Sequence, residues 1–293
     1  MNNKQELKIG IPKGSLEQAT IALFAKSGWK IHMQARNYFP EVNDPELITR
    51  LCRAQEMPTY VADGVLDAGF TGKDWIQETG ADVEVVSDLL YSKVSNRPAR
   101  WVLAVGGDSP YHKPEDLAGA RVATELLGLT ESYFKSRNIP VTVQYSWGAT
   151  EAKVVEGLAD AIVEVTETGT TIRAHGLRII DDVLITNTQF IANRAALANP
   201  WKRKKIDQIN LLLQGALRAE SLVGLKMNAQ TDELPAILAL LPSLNSPTIS
   251  PMQDSKWNAV EVVVSVAVVR DLLPRLVEAG AKGIIEYPLN KVI

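Results

Sequence analysis

Short apolar blocks separated by turn residues recur along the whole chain, and their spacing predicts strands and helices in alternation. Leu7 to Ile11 reads as a strand, closed by the turn Pro12-Lys13-Gly14-Ser15 and followed by an amphipathic stretch through Ala25. Helical stretches are predicted around Pro45 to Arg53 and Pro58 to Gly64, then a strand at Leu66 to Phe70 that runs into Thr71-Gly72-Lys73-Asp74. Val83 to Leu90 and Trp101 to Val105 follow as strands, with Asn96-Arg97-Pro98 between them as a crossing point into a second lobe.

The second lobe repeats the rhythm. A helix is predicted over Leu126 to Arg137, a strand over Val141 to Tyr145, a helix at Lys153 to Gly157 and a strand over Ala161 to Val165. Thr186 to Ala192 then reads as a strand returning to the first lobe, which gives two chain crossovers and a hinged cleft. Alternation of this kind predicts mostly parallel sheets with ligands at the strand C-terminal ends. Lys202 to Ser221 is a long amphipathic helix whose basic start, Lys202-Arg203-Lys204-Lys205, opposes the helix dipole, and this run is either a solvated face or the entrance for a polyphosphate. The remaining order, strand 222–227, helix 232–241, strand 247–250, strand 258–266, helix 269–279 and strand 281–287, is the βαββαβ unit of a ferredoxin-like domain.

Composition narrows the function classes. The chain has 293 residues, 46% of them hydrophobic, enough for two or three domains. A net charge of -3 leaves no basic field for duplex nucleic acid or an anionic membrane surface, so any anionic ligand must be held by local donors. The lone Cys52 excludes an internal disulfide and a cysteine-built zinc site. No leader-like or membrane-spanning apolar run is found, and the cytoplasm is the expected location.

The strongest local chemistry lies in Ala159 to Leu177. Asp160, Ile162 and Glu164 fall on one face of the predicted strand, so a carboxylate pair is expected beside the turn Glu167-Thr168-Gly169-Thr170-Thr171. That turn offers hydroxyls, backbone N–H groups and a glycine for close approach, which suits a phosphate. The loops at Lys13-Gly14 and Gly72-Lys73-Asp74 are built alike, and the three together predict a cleft for a multiply phosphorylated ligand. GxxxxGK[ST], GxGxxG, GxSxG and HExxH patterns are absent, and His32, His112 and His175 are scattered, so transfer chemistry driven by positioning and charge is favoured over a covalent intermediate.

IPKGSL, DGVLDAGFTGKDW, GLADAIVEVTETGTTIRAHGL, SPTISPM and EAGAKGIIEYPL, in this order over nearly the whole chain, resemble the long form of the ATP phosphoribosyltransferase family. The resemblance implies an α/β fold: a two-lobed catalytic core similar to type II periplasmic binding proteins, plus a C-terminal regulatory domain. Residues 1–97 with 185–219 would form one lobe, 98–184 the other, and 220–293 the regulatory domain. It implies transfer of the phosphoribosyl group of 5-phosphoribosyl 1-diphosphate to N1 of the ATP adenine, dependence on Mg²⁺ with unknown protein ligands, feedback inhibition by histidine, and a homohexamer built from dimers.

Carried onto this sequence, the family's motifs place Glu167, Thr168, Gly169, Thr170 and Thr171 at the donor's 5-phosphate, with Asp160 and Glu164 near its ribose as the catalytic pair. Glu164 stands where the family usually has Asp, and Ser15 where an arginine is common. Lys13, Gly14, Gly72, Asp74 and Glu151 match the nucleotide side of the cleft, and Asn228, Thr248 and Gly283 match the histidine-binding region. A small-molecule sensor on the same kind of core is the alternative that these residues leave open.

Overall fold

The computed structural model describes residues 5–33, 37–91, 98–242 and 246–293. Of the crossing point Asn96-Arg97-Pro98, Asn96 and Arg97 lie outside the described residues. The chain divides into two units, Met1–Ala25 with Trp29–Asn210, and Lys26–Gly28 with Leu211–Ile293.

In the first unit the chain runs through β1 (Leu7–Lys13), α1 (Glu17–Ser27), the two-residue strands β2 (Ile31–His32) and β3 (Glu41–Val42), β4 (Leu47–Arg53), α2 (Met57–Ala62), β5 (Ala68–Gly72), α3 (Lys73–Thr79) and β6 (Glu84–Leu89). It continues through β7 (Ala99–Gly106), β8 (Arg121–Thr124), α4 (Leu127–Ser136), β9 (Thr142–Tyr145), α5 (Thr150–Val155), β10 (Ala161–Thr166), α6 (Thr170–Ala174) and β11 (Leu177–Thr186). It returns through β12 (Thr188–Ala192), α7 (Arg194–Ala198) and α8 (Pro200–Ala219).

Two five-stranded sheets result, ordered β4-β1-β5-β12-β6 and β11-β7-β10-β8-β9. They share one plan. Four strands of each sheet run parallel, and the strand that arrives by crossover, β12 in the first lobe and β7 in the second, is inserted antiparallel between two of them. This interleaving is the two-lobed α/β core that the resemblance implies. Strands buried on both faces read as continuous apolar runs, and Trp101 to Val105 of β7 are all fully buried or nearly so. In the first lobe Phe70 stacks on Phe190 at 4.7 Å and meets Phe24 edge-on at 5.4 Å, which pins α1 and the returning strand to the sheet.

The helix predicted over Pro45 to Arg53 is in fact β4. Leu47, Ile48, Leu51 and Cys52 satisfy helical spacing, but Leu47, Thr49 and Leu51 also satisfy period 2, and pairing in register with β1 decides for the strand. β11 was not legible as a strand at all, because Asp181 and Asp182 interrupt its apolar pattern. Register shifts between Ile179 and Asp181 and between Asp182 and Leu184 accommodate them.

The basic start of α8 is divided: Arg203 and Lys204 are a solvated face, whereas Lys202 and Lys205 turn inward, and none of the four lines the cavity of the first unit. Lys202 Nζ pairs with Asp67 at 2.5 Å, and Lys205 Nζ reaches Asp44 at 2.7 Å and Glu46 at 2.6 Å, so local ion pairs outweigh the unfavourable dipole. Lys205 is only 8% exposed and Asp44 16%. Lys205→Met is therefore expected to lower stability by about 3 kcal/mol, since it removes the cation from the largely buried Asp44 carboxylate, which keeps only its bonds from Trp29 Nε1 and Glu46 N–H; chemical unfolding would read this as a lower midpoint at unchanged slope.

The second unit contains β13 (Leu222–Gln230), α9 (Leu234–Leu240), β14 (Thr248–Pro251), β15 (Trp257–Ser265), α10 (Val266–Glu278) and β16 (Lys282–Pro288). The sheet order is β14-β15-β13-β16, and every pair is antiparallel. That is the ferredoxin-like arrangement. Val223, Leu225, Met227 and Ala229 of β13 turn inward with Val260, Val262 and Val264 of β15, and Ile237, Leu272 and Leu276 of the helices cover them. The chain end also belongs to this unit: Val292 N–H donates to Gly215 O at 3.0 Å and Lys291 Nζ to Lys26 O at 3.0 Å.

Candidate active site

Parallel strands aim their C-terminal ends, and the loops that follow them, at one side of each sheet. In the first unit these loops line a cavity of about 1000 Å³. It receives Lys13 and Gly14 after β1, Arg53 after β4, Gly72 and Asp74 at the start of α3, Glu125 after β8, and Glu167, Thr168 and Thr171 after β10. The three glycine loops picked out in the sequence therefore meet in one place. Lys13 and Arg53 are direct register partners on β1 and β4, so two cations stand side by side at the sheet edge. Aromatic faces hold both: Lys13 Nζ lies 4.1 Å from the Tyr38 ring centroid, and the Arg53 guanidinium 5.4 Å from that of Trp147, a residue of the second lobe.

Opposite these cations, Gly169 takes the left-handed conformation with φ +74° and turns β10 into α6. Its N–H donates to Thr166 Oγ1 at 2.7 Å, and the hydroxyls of Thr168 and Thr170 are 2.8 Å apart. Thr168, Thr170 and Thr171 remain exposed. Arg173 folds back over the turn, with Nη2 2.8 Å from Thr168 O, and adds a positive charge that the sequence pattern did not single out. Hydroxyls, helix-opening N–H groups and a guanidinium on one turn are donors of the kind that suit a phosphate-sized anion.

The two carboxylates of the same strand part company. Glu164 is near the cleft end of β10. Burial pushes its carboxyl up to about 7; Val165 N–H and Thr150 oppose the shift, while Glu151 and Glu125 reinforce it by like-charge repulsion. Glu151, in the first turn of α5, thus stands in the electrostatic field of Glu164. Asp160, by contrast, precedes the strand. One carboxylate oxygen accepts from Arg121 N at 2.8 Å and Nε at 3.1 Å, the other from Nη2 at 3.0 Å, and these bonds hold its pKa below the usual range. The placement of Asp160 beside the turn is corrected accordingly. A strand advances about 3.3 Å per residue, so Asp160 and Thr168 are at opposite ends of β10.

Asp74 lines the cavity but is itself only 5% exposed. Its Oδ2 accepts from Trp101 Nε1 at 2.6 Å and its Oδ1 from Thr186 Oγ1 at 3.1 Å. Burial raises its pKa, against those hydrogen bonds. Its carboxylate therefore ties β7 to the end of β11, and Gly72 beside it also lines the cavity.

In the second unit, Asn228 and Gly283 are neighbours: a Cβ at Gly283 would lie 3.5 Å from Asn228 Nδ2. Thr248 is on the edge strand, opposite Glu261, whereas Asn228 opposes Ala259. Two strands and two residues separate them, about 12 Å at ordinary sheet spacings. Gly283 also borders a cavity of about 350 Å³ with Leu273 and Val277 of α10.

Arg53 escapes the sequence pattern because Leu47 to Arg53 also fits helical spacing, which hides its position at a strand C-terminal end. Among the described residues no group of three or more His, Cys, Asp or Glu forms a metal cage. No helix there is long and apolar enough to cross a membrane.

Comparison with known proteins converges with this geometry. The profile described as ATP phosphoribosyltransferase matches residues 53–215, and the one described as HisG, C-terminal domain, matches 219–291. The ATP phosphoribosyltransferase of Nitratidesulfovibrio vulgaris strain Miyazaki F is 72% identical over the full length of both chains. ATP phosphoribosyltransferase 1 of Geobacter sulfurreducens is 56% identical, with 98% of this chain and 99% of that one covered. Among solved structures, the ATP phosphoribosyl transferase (HisG:HisZ) complex from Thermotoga maritima superposes with a TM-score of 0.61 at 25% identity, over 71% of this chain and 98% of that one. The chain belongs to the ATP phosphoribosyltransferase family, a family of pentosyltransferases, in the long form with the additional C-terminal domain.

Proposed function

We propose that the cavity of the first unit joins N1 of the ATP adenine to C1 of 5-phosphoribosyl 1-diphosphate, with the 5-phosphate held by Glu167 to Thr171. The observation that carries this reading is the pairing of that threonine-rich turn with Lys13 and Arg53 across a single cavity. Membership of an enzyme family sets the sensor alternative aside. In the transfer, the N1 lone pair forms the new bond to C1 as the C1–O bond breaks, and the electron pair leaves with pyrophosphate. Two cations and a phosphate-binding turn are suited to this step because charge moves onto the leaving group, and preformed donors stabilise it without reorganisation.

In this reading Lys13, Gly14 and Arg53 take the phosphates that the turn does not, and Gly72 with Asp74 shapes the nucleotide wall. Glu164 takes the ribose hydroxyls, and Glu151 adds like-charge repulsion to the burial that raises its pKa. The donor set also fits Mg²⁺, which is typically held by one or two carboxylates together with substrate phosphates. Glu164 and Glu125, both pushed up by burial, would hold it, since a nearby cation relieves the charge that burial penalises. When bound, Mg²⁺ neutralises diphosphate charge.

We assign residues 1–97 with 185–219 and residues 98–184 to the two catalytic lobes, and 220–293 to a regulatory domain that binds histidine near Asn228, Gly283 and Thr248. The separation of Thr248 from the other two fits a site completed by a second copy, within a cytoplasmic homohexamer built from dimers. Mixing purified protein with ATP, the phosphoribosyl donor and Mg²⁺ should raise the ultraviolet absorbance as N1-substituted adenine forms; no rise at any protein concentration contradicts the assignment. Histidine should suppress the rise, and Asn228→Ala should increase the histidine needed by about tenfold, the cost of one buried hydrogen bond. An unchanged dose response would place the effector elsewhere.

A further inference from the structure

Helix α3 belongs to the first lobe but spends one face on the second. Asp74, in its first turn, holds Trp101 on β7 and Thr186 at the end of β11, the two strands adjoining the crossovers. The Trp75 ring meets Trp101 edge-on at 6.3 Å. One turn later, Glu78 accepts two further bonds, from Gly128 N–H at 3.0 Å to Oε1 and from Leu129 N–H at 2.9 Å to Oε2. Those donors are in the first turn of α4, a ten-residue helix of the second lobe whose own N-cap residue, Leu126, supplies no side-chain cap. The first N–H groups of a helix need acceptors, and a carboxylate there also meets the positive end of the dipole. The cap of α4 is therefore supplied from the other lobe.

The two acidic residues hold different things. Asp74 grips strands at the crossovers themselves, where rotation of one lobe against the other displaces atoms least. Glu78 grips a helix away from them, where the same rotation would pull donor from acceptor. Both ends of this contact lead into the cavity: α3 starts from the Gly72-Lys73-Asp74 loop, and α4 follows Glu125.

We propose that Glu78 is a positioning residue for the transfer: by capping α4 across the cleft it fixes the angle between the lobes at which the 167–171 turn faces Lys13 and Arg53. Asp74 acts as the pin of the hinge and Glu78 as its latch. The assignment of substrates rests on the reading above, whereas the latch itself concerns only the geometry of the first unit.

Spin labels at Thr59→Cys on α2 and Glu156→Cys after α5, both exposed positions on opposite lobes, report the angle directly. The native Cys52 lines the cavity at 8% exposure, so the labelled proteins, parent included, carry Cys52→Ala. In the full chain, Glu78→Ala should lengthen and broaden the interlobe distance distribution. It should lower kcat/KM for the phosphoribosyl donor by about thirtyfold, mostly through KM, because misplacement by about 1 Å costs up to a hundredfold. Glu78→Gln keeps one acceptor oxygen and should restore part of both the distance and the KM. An Ala variant that unfolds more easily but keeps the parent distance distribution and KM overturns the proposal, as does a Gln variant no better than Ala in either readout. Absence of turnover in the parent protein would instead count against the assigned reaction, and the distance measurement would still decide the latch.

Discussion

Gly169→Ala should lower kcat/KM for the phosphoribosyl donor by about a hundredfold, the scale of losing a preorganised anion site. Gly169 sits at φ +74°, where an L side chain costs about 1–2 kcal/mol. A Cβ there would also meet Arg173 Nη1 at 2.8 Å and Ile179 Cδ1 at 3.2 Å. The guanidinium can swing aside, but doing so breaks its bond to Thr168 O and removes the positive charge from the turn. The loss should appear in the dependence of rate on donor concentration, with KM for ATP nearly unchanged. Equal loss for both substrates would show that the turn supports the fold of the lobe and not one substrate.

The second large effect is a pH dependence of stability. Glu164 titrates near its ordinary value of 4.5 in the unfolded chain and near about 7 in the folded one. Below the lower value both states are protonated and the group is neutral in its effect. Between the two, the unfolded chain ionises while the folded one stays protonated, so stability falls as pH rises and the penalty is complete above the folded pKa. Glu164→Gln should flatten that slope and raise stability at pH 8 by about 2 kcal/mol, less than the full shift implies because the side chain keeps some contact with water. Urea midpoints at a series of pH values measure this directly. A slope between pH 4.5 and 7 that is the same in the parent and in Glu164→Gln contradicts the placement of Glu164. The same substitution should lower turnover, so the position trades stability for chemistry.

Much of this was legible in the chain. The βαββαβ order of the second unit followed from spacing alone, because its strands alternate cleanly and each helix is bounded by turn residues. The three glycine loops could be placed at strand ends, and parallel strands in an α/β fold bring such ends together. What failed has physical causes. Leu47 to Arg53 fits both periods, and only pairing with β1 selects the strand, so Arg53 was lost as a site residue with it. Asp160 shares a strand face with Glu164, but a shared face says nothing about which end of a strand faces the cleft, and Arg121 had already claimed it. Arg173 and Glu78 act through contacts that depend on tertiary geometry: one folds back over its own turn and the other reaches a helix fifty residues away. The basic start of α8 looked electrostatically unexplained because Asp44, Glu46 and Asp67 are distant in sequence and adjacent only in the fold.

In the proposed reaction the turn from Glu167 to Thr171 holds the 5-phosphate of the phosphoribosyl donor opposite Lys13 and Arg53. A crystal structure of the protein with 5-phosphoribosyl 1-diphosphate and Mg²⁺ tests it most directly. The 5-phosphate is expected within hydrogen-bonding distance of the Thr168, Thr170 and Thr171 hydroxyls or N–H groups, with the diphosphate toward the two cations. A donor bound with its 5-phosphate on Lys13 and Arg53, and its diphosphate in the turn, would contradict it.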